Sequence, residues 1–186
     1  GLVGSEMCIR DRPQAKTTDA NGIDHFRGHQ KISEELAGGI LRRLKFDNET
    51  IRQVKKLVSC HDDHPARTPA GVRRAVNRIG TDLFPMYLKV QRADIMAQNP
   101  ATREDKLAKL YVVTELYEQI LKEKDCVTLK QMVITGRDLM MEGIPAGPGL
   151  GEVLSKLLDL VIEDPKRNEK TWLLAKAKEI YKASRE

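Results

Sequence analysis

Aromatic residues make up only 4% of the 186-residue sequence, so any core must be built from aliphatic side chains. Cysteine is scarce as well. Cys8, Cys60 and Cys126 lie far apart, are odd in number and form no C-x-x-C pair, which excludes a disulfide framework and a zinc knuckle and points to a reducing compartment, by default the cytoplasm. No apolar run approaches the roughly 18 residues needed to cross a bilayer, and the N-terminal segment lacks the apolar stretch of about 7 to 15 residues of a signal peptide. No stretch alternates for long enough to demand a sheet, and no repeat of about 20 to 50 residues is visible. What remains is a chain of 21.0 kDa, large enough to bury a core without cross-links.

Helical periodicity fills most of it, and the predicted class is all-α. A polar loop with a turn signal at Asn21-Gly22 precedes a helix starting near Gly28, whose apolar residues Ile32, Leu36, Ile40, Leu41 and Leu44 recur at helical spacing; Gly38-Gly39 would admit a close neighbour. Asp47 caps the next helix, Thr68-Pro69 starts another that stops at Gly80, and a further one runs from about Asp82 to Gln98. Thr102 opens the longest helix. Thr128 and Gln131 form a capping-box pattern, Thr135 caps a short helix ended by Gly143, and Asn168 caps the last helix. The expected organisation is a segment 1–12 set apart, a helical domain over 13–99, and a helical body and tail over 100–186.

Two features suggest contact with an anion. In AGPGLGE, Gly147, Gly149 and Gly151 leave backbone N–H groups uncovered at the positive end of a helix, a place that can hold a phosphate; the same glycines would equally serve a tight turn and close helix packing. The net charge of +5 is uneven, with 15 Lys/Arg against 10 Asp/Glu over residues 13–99 and 15 of each over 100–186. Arg42, Arg43, Lys45, Arg52, Lys55, Lys56, Arg67, Arg73, Arg74 and Arg78 would attract an RNA backbone if they share a face, and would be solvated helix surface if they do not.

The order of segments carries a resemblance. KTTDANGIDHFRGHQKISEELAGGILRRLKFDNETI, then RIGTDLFPMYLKVQRADIMAQ, then T-G-x-D-L at Thr135–Leu139, the AGPGLGE turn with its leucine-rich helix, and NEKTWLLAKA together resemble the C-terminal part of bacterial, clostridial-type CCA-adding tRNA nucleotidyltransferases over nearly all of residues 13–186. The resemblance implies an incomplete HD-type helical domain followed by a tRNA-binding body and tail. In such enzymes a separate head attaches CTP and ATP to the tRNA 3′ end with Mg2+. Neither that head's G-G-x-V-R-D motif nor its carboxylate pair occurs here, so no catalytic residue is expected in this chain. The RNA-binding residues expected are Arg42, Arg43, Arg73, Arg74, Arg78, Gly147, Gly149 and Gly151.

His29 in FRGHQ, His61 and Asp94 in QRAD match later ligand positions of an HD-type metal site, while the signature H-D pair is missing; His61-Asp62 spells HD but occupies the later histidine position. Any divalent metal held by these residues would be a residual site, and the alternative function is an HD-type metal-dependent phosphohydrolase. GLVGSEMCIRDR reads, codon by codon from Leu2 to Asp11, like a translated transposase adapter, which sets residues 1–12 outside the fold and places the natural sequence from about Pro13, just after where the family's H-D-x-G-K segment would end.

Overall fold

The computed structural model describes residues 17–18, 24–25 and 29–184, with side chains from residue 30 onward. The adapter-like segment 1–12 and the Asn21-Gly22 turn lie outside the described residues. Within them, eight α-helices carry the fold: α1 (His29–Arg43), α2 (Asn48–Cys60), α3 (Pro69–Ile79), α4 (Phe84–Ala97), α5 (Pro100–Glu123), α6 (Gly136–Met141), α7 (Pro148–Glu163) and α8 (Lys170–Ala183). Single 3-10 turns occupy Leu129–Gln131 and Pro165–Arg167. The described extended backbone is one antiparallel pair, Thr17↔His25 and Thr18↔Asp24, too short to form a layer, so the class is all-α as the periodicity predicts.

The chain divides into two compact units. The first is the described part of Gly1–Pro65 with Ile79–Thr114, and the second is Ala66–Arg78 with the described part of Glu115–Glu186. The chain crosses between the units three times, after Pro65, after Arg78 and, within α5, after Thr114, so that most of α3 is folded with the later half.

In the first unit α1 lies along α2. Gly38 is the point of approach, since a Cβ there would come within 3.1 Å of Lys55 Cδ; at Gly39 it would meet nothing within 4 Å, so only one of the two glycines serves close packing. Lys55 Nζ also pairs with Glu34 at 3.2 Å. Asp47 caps α2 as expected, accepting from the Thr50 amide at 2.9 Å. The end of α2 is tied to α4 by Tyr87, whose hydroxyl donates to the Asp63 carbonyl at 2.5 Å, and by Gln91, which donates to the His61 carbonyl. Phe84 and Tyr87 are buried with ring centroids 5.3 Å apart, which brings two of the sparse aromatics into the core. α5 starts at Pro100 rather than Thr102. Asn99 accepts from the Ala101 amide at 3.0 Å and Pro100 sits at the first helical position, a stronger start signal than the threonine two residues on.

The second unit has an aliphatic core in which Leu139, Leu157 and Leu173 are wholly buried. Its loops are held by side chains that imitate backbone. Gln131 Oε1 accepts from the Val127 and Thr128 amides at 3.0 Å each, the capping box that the sequence predicts. Thr135 and Asp138 form another at the start of α6, and Asp138 Oδ1 also receives Lys170 Nζ at 2.9 Å. α6 ends at Gly143, φ +89°, with Ile144 N–H reaching the Leu139 carbonyl at 3.1 Å and both side chains buried. Asn168 does not cap α8. Glu169 does, accepting from the Thr171 and Trp172 amides at 3.0 and 2.8 Å, while Asn168 spans to the segment before α6, accepting from Val133 N–H at 3.0 Å and donating to the Gln131 carbonyl at 3.1 Å.

Candidate nucleic-acid interface

The glycine turn is the N-terminus of α7. Gly147 precedes the helix with φ +145° and ψ −174°, a conformation open to glycine alone, and Pro148 fills the first helical position. Gly147, Gly149 and Gly151 are exposed, and a Cβ on Gly149 or Gly151 would meet nothing within 4 Å. Close packing therefore does not explain these two glycines. The contact that packing does require is at Gly136, where a Cβ would sit 3.0 Å from Leu150 Cδ2. The first turn of a 16-residue helix is thus left bare, with no acidic residue in it to occupy the positive end of the helix dipole.

The arginines fall into three situations. Arg42 and Arg43 end α1 in the first unit and are exposed. Arg74 and Arg78 are exposed, one turn apart on α3; Arg74 forms an ion pair with Glu163. Arg73 is the correction. It is 6% exposed and spends its whole fork inside the second unit, Nε donating to the Ile162 carbonyl at 2.6 Å, Nη2 to the Glu163 carbonyl at 3.0 Å and Nη1 to Asp125 at 2.9 Å. It caps the carbonyl end of α7, and all three arms of its guanidinium are occupied inside the protein. The RR pair gives no warning, because which of two adjacent arginines faces inward depends on where α3 is docked. Asp125, its partner, carries no signal in the sequence either.

Docking of α3 also changes the charge map. Residues 66–78 hold four arginines and no carboxylate, and they add their charge to the unit that contains the glycine turn rather than to the N-terminal half. Asn77 strengthens that attachment by donating to the Val127 carbonyl at 2.6 Å.

The described metal candidates do not assemble a centre. Among the described residues no three His, Cys, Asp or Glu side chains gather to hold an ion. His61 Nδ1 lies 2.7 Å from the Val58 carbonyl and its Nε2 3.1 Å from Asp62, while Asp94 accepts from Gln98 at 2.5 Å; the His29 side chain is outside the described residues. Nor is there an activated thiol at Cys126, since burial pushes its ionisation up. No helix among the described residues is long and apolar enough to cross a membrane.

The bare N-terminus of α7 and the exposed Arg74 of α3 belong to the same unit but lie at opposite ends of α7, about 20 Å apart along its axis, since Arg74 pairs with Glu163. The chain is 29% identical over 140 residues to the A-adding tRNA nucleotidyltransferase of Deinococcus radiodurans, an alignment covering 74% of this chain and 32% of that protein. The chain thus corresponds to about a third of its relative's length. No solved structure matches it. Residues 17–177 match the family described as tRNA nucleotidyltransferase domain 2, and on that match, which spans most of the described fold, the chain belongs to this family.

Proposed function

We propose that this chain is the tRNA-holding part of a bacterial, cytoplasmic tRNA nucleotidyltransferase, and that it performs no nucleotide transfer itself. The task assigned to it is to grip the RNA while a head outside this sequence, carrying Mg2+, CTP and ATP, extends the 3′ end. The observation that carries the reading is the uncovered first turn of α7. The Gly147 and Gly149 amides are left over there, with no side chain covering them, and the same unit contains the exposed Arg74 and Arg78. Phosphate oxygens suit each group separately, accepting from backbone amides at the start of α7 and pairing with guanidinium groups near its far end, about 20 Å along the helix, so the two would engage different phosphates of one RNA. Recognition would run through backbone and shape, because the deep groove of an RNA helix offers side chains little sequence to read.

The test is binding of the 186-residue protein to tRNA over a salt series. With on the order of 4 to 6 phosphate contacts, affinity should fall by tens to thousands of times between about 50 and about 200 mM salt. Affinity that is flat with salt, or equal for tRNA and an unstructured RNA of the same length, would refute the assignment. Incubation with tRNA lacking its CCA end, magnesium, CTP and ATP should give no incorporation above a tRNA-free control.

A further inference from the structure

The outer face of α1, turned away from α2, has no part in the proposed grip on tRNA. Ile32, Glu35, Leu36, Gly39, Ile40 and Arg43 line an open depression along it. Leu36 and Ile40 are 46% and 48% exposed, and Leu44 and Phe46 extend the apolar surface past the helix end. Most surface helices present such residues to a core, so a run of this kind marks a surface made to be covered.

The arrangement of the face identifies its partner. Gly39 is exposed, and with nothing within 4 Å of where its Cβ would stand, it permits another backbone to come close. Glu35 and Arg43 lie four residues to either side, about 6 Å along the helix axis in each direction. They are too far apart to pair with each other, and neither side chain has a partner among the described residues. A helix with one charge before a bare centre and the opposite charge the same distance after it is self-complementary in the antiparallel sense.

We propose that this face binds a second copy of the chain, α1 against α1, about a two-fold axis passing near Gly39. Each Glu35 then meets the other copy's Arg43, the pair forms twice, and the Leu36 and Ile40 side chains are covered between them. An isologous contact requires this kind of self-matching patch. Its apolar centre suits a protein partner better than a phosphate backbone, and on this proposal Arg43, one of the RNA-binding candidates of the sequence, serves the dimer instead.

Sedimentation of the full chain over a concentration series tests the proposal, with circular dichroism to show that each variant is folded. The wild type should pass from monomer to dimer as concentration rises. Glu35→Arg and Arg43→Glu should each weaken the dimer by on the order of tenfold at low salt, since each reversal breaks two exposed pairs and adds repulsion. Combining both reversals in one chain should restore the wild-type affinity, and mixing the two single variants should give a dimer tighter than either forms alone. A monomer at every concentration overturns the proposal and leaves the face to another element of a longer chain. A dimer indifferent to the single reversals, or not restored by their combination, overturns it too, because association then uses a different surface.

Discussion

Arg73 Nη1 lies 2.9 Å from Asp125 Oδ2, and each of these side chains is only 7% exposed. A buried pair of this kind gains little over a well-packed apolar one, because both charges must be stripped of water. Its value here comes from the other two arms of the guanidinium, which reach the Ile162 and Glu163 carbonyls at the end of α7. A cation at that end also suits the helix dipole.

Replacing Arg73 by Met should therefore cost about 3–5 kcal/mol of stability, since it strands the Asp125 carboxylate in a buried site. Adding Asp125→Leu should recover part of that loss but not all of it, because the two carbonyls stay unpaired at about 1–3 kcal/mol each. Urea unfolding of wild type, single and double variants measures both steps. Full recovery in the double variant would mean that water satisfies the carbonyls.

Two glycines of the α7 turn, Gly147 and Gly149, should behave oppositely. Gly147→Ala forces a side chain into a positive-φ conformation and should cost about 1–3 kcal/mol. Gly149→Ala has free space and helical backbone, so it should be neutral or stabilise by up to about 1 kcal/mol. Gly149→Asp should keep or raise the melting temperature, since a carboxylate suits a helix N-terminus, and should at the same time weaken tRNA binding. Unchanged tRNA affinity in that folded variant would leave the glycines as turn chemistry only.

Charge removal on α3 separates surface from interior. Arg74→Gln with Arg78→Gln should leave the fold intact and lower the slope of log affinity against log salt by about 1 for each phosphate that is no longer neutralised. Lys176→Gln with Lys178→Gln should change binding little, because α8, which carries them, has no part in the proposed grip; like Arg74 with Glu163, these lysines pair with carboxylates, Glu179 and Glu142, at 2.6 Å, so pairing alone does not separate the two sets. Titrations at several salt concentrations decide between equal and unequal effects.

The Thr135 and Asp138 box predicts a dependence on acid. Lys170, and after it the hydroxyl and amide of Thr135, hold the Asp138 carboxyl well below its ordinary value of 3.8. A group lowered on folding adds stability above its unfolded value and loses it as pH falls toward the folded one. Asp138→Asn should thus be less stable than wild type near neutral pH, and the gap should shrink as the pH drops below 3.8. Thermal melts from neutral pH downward read it directly. A gap that stays constant to the lowest pH would remove the carboxylate's charge from the account.

Helix positions are legible in the sequence where one local signal governs them. Asp47, Thr68, Thr135 and Gly143 act on amides and carbonyls within a few residues, and each marks a helix end as predicted. Asn168 and Thr102 mislead because a neighbour, Glu169 or Asn99, offers a competing cap that only the geometry can rank. The site divides the same way. The uncovered start of α7 follows from glycines within a few residues of each other, whereas the fate of Arg73 depends on Asp125 and Ile162, 52 and 89 residues away. Periodicity carries no information about such distances.

Those distances bear on how the chain folds. Helical proteins usually fold fast because their contacts are local, but the second unit is completed only when α3 meets groups 52 to 90 residues further on. Closing a loop of that length costs on the order of 2 kcal/mol more than closing a local turn. α6, α7 and α8 can gather around their leucines first, and α3 then arrives last, as the late step that seals the open end of α7. During synthesis the arginines of α3 would leave the ribosome well before their acceptors exist, and the ordering of this helix would wait for nearly the whole chain.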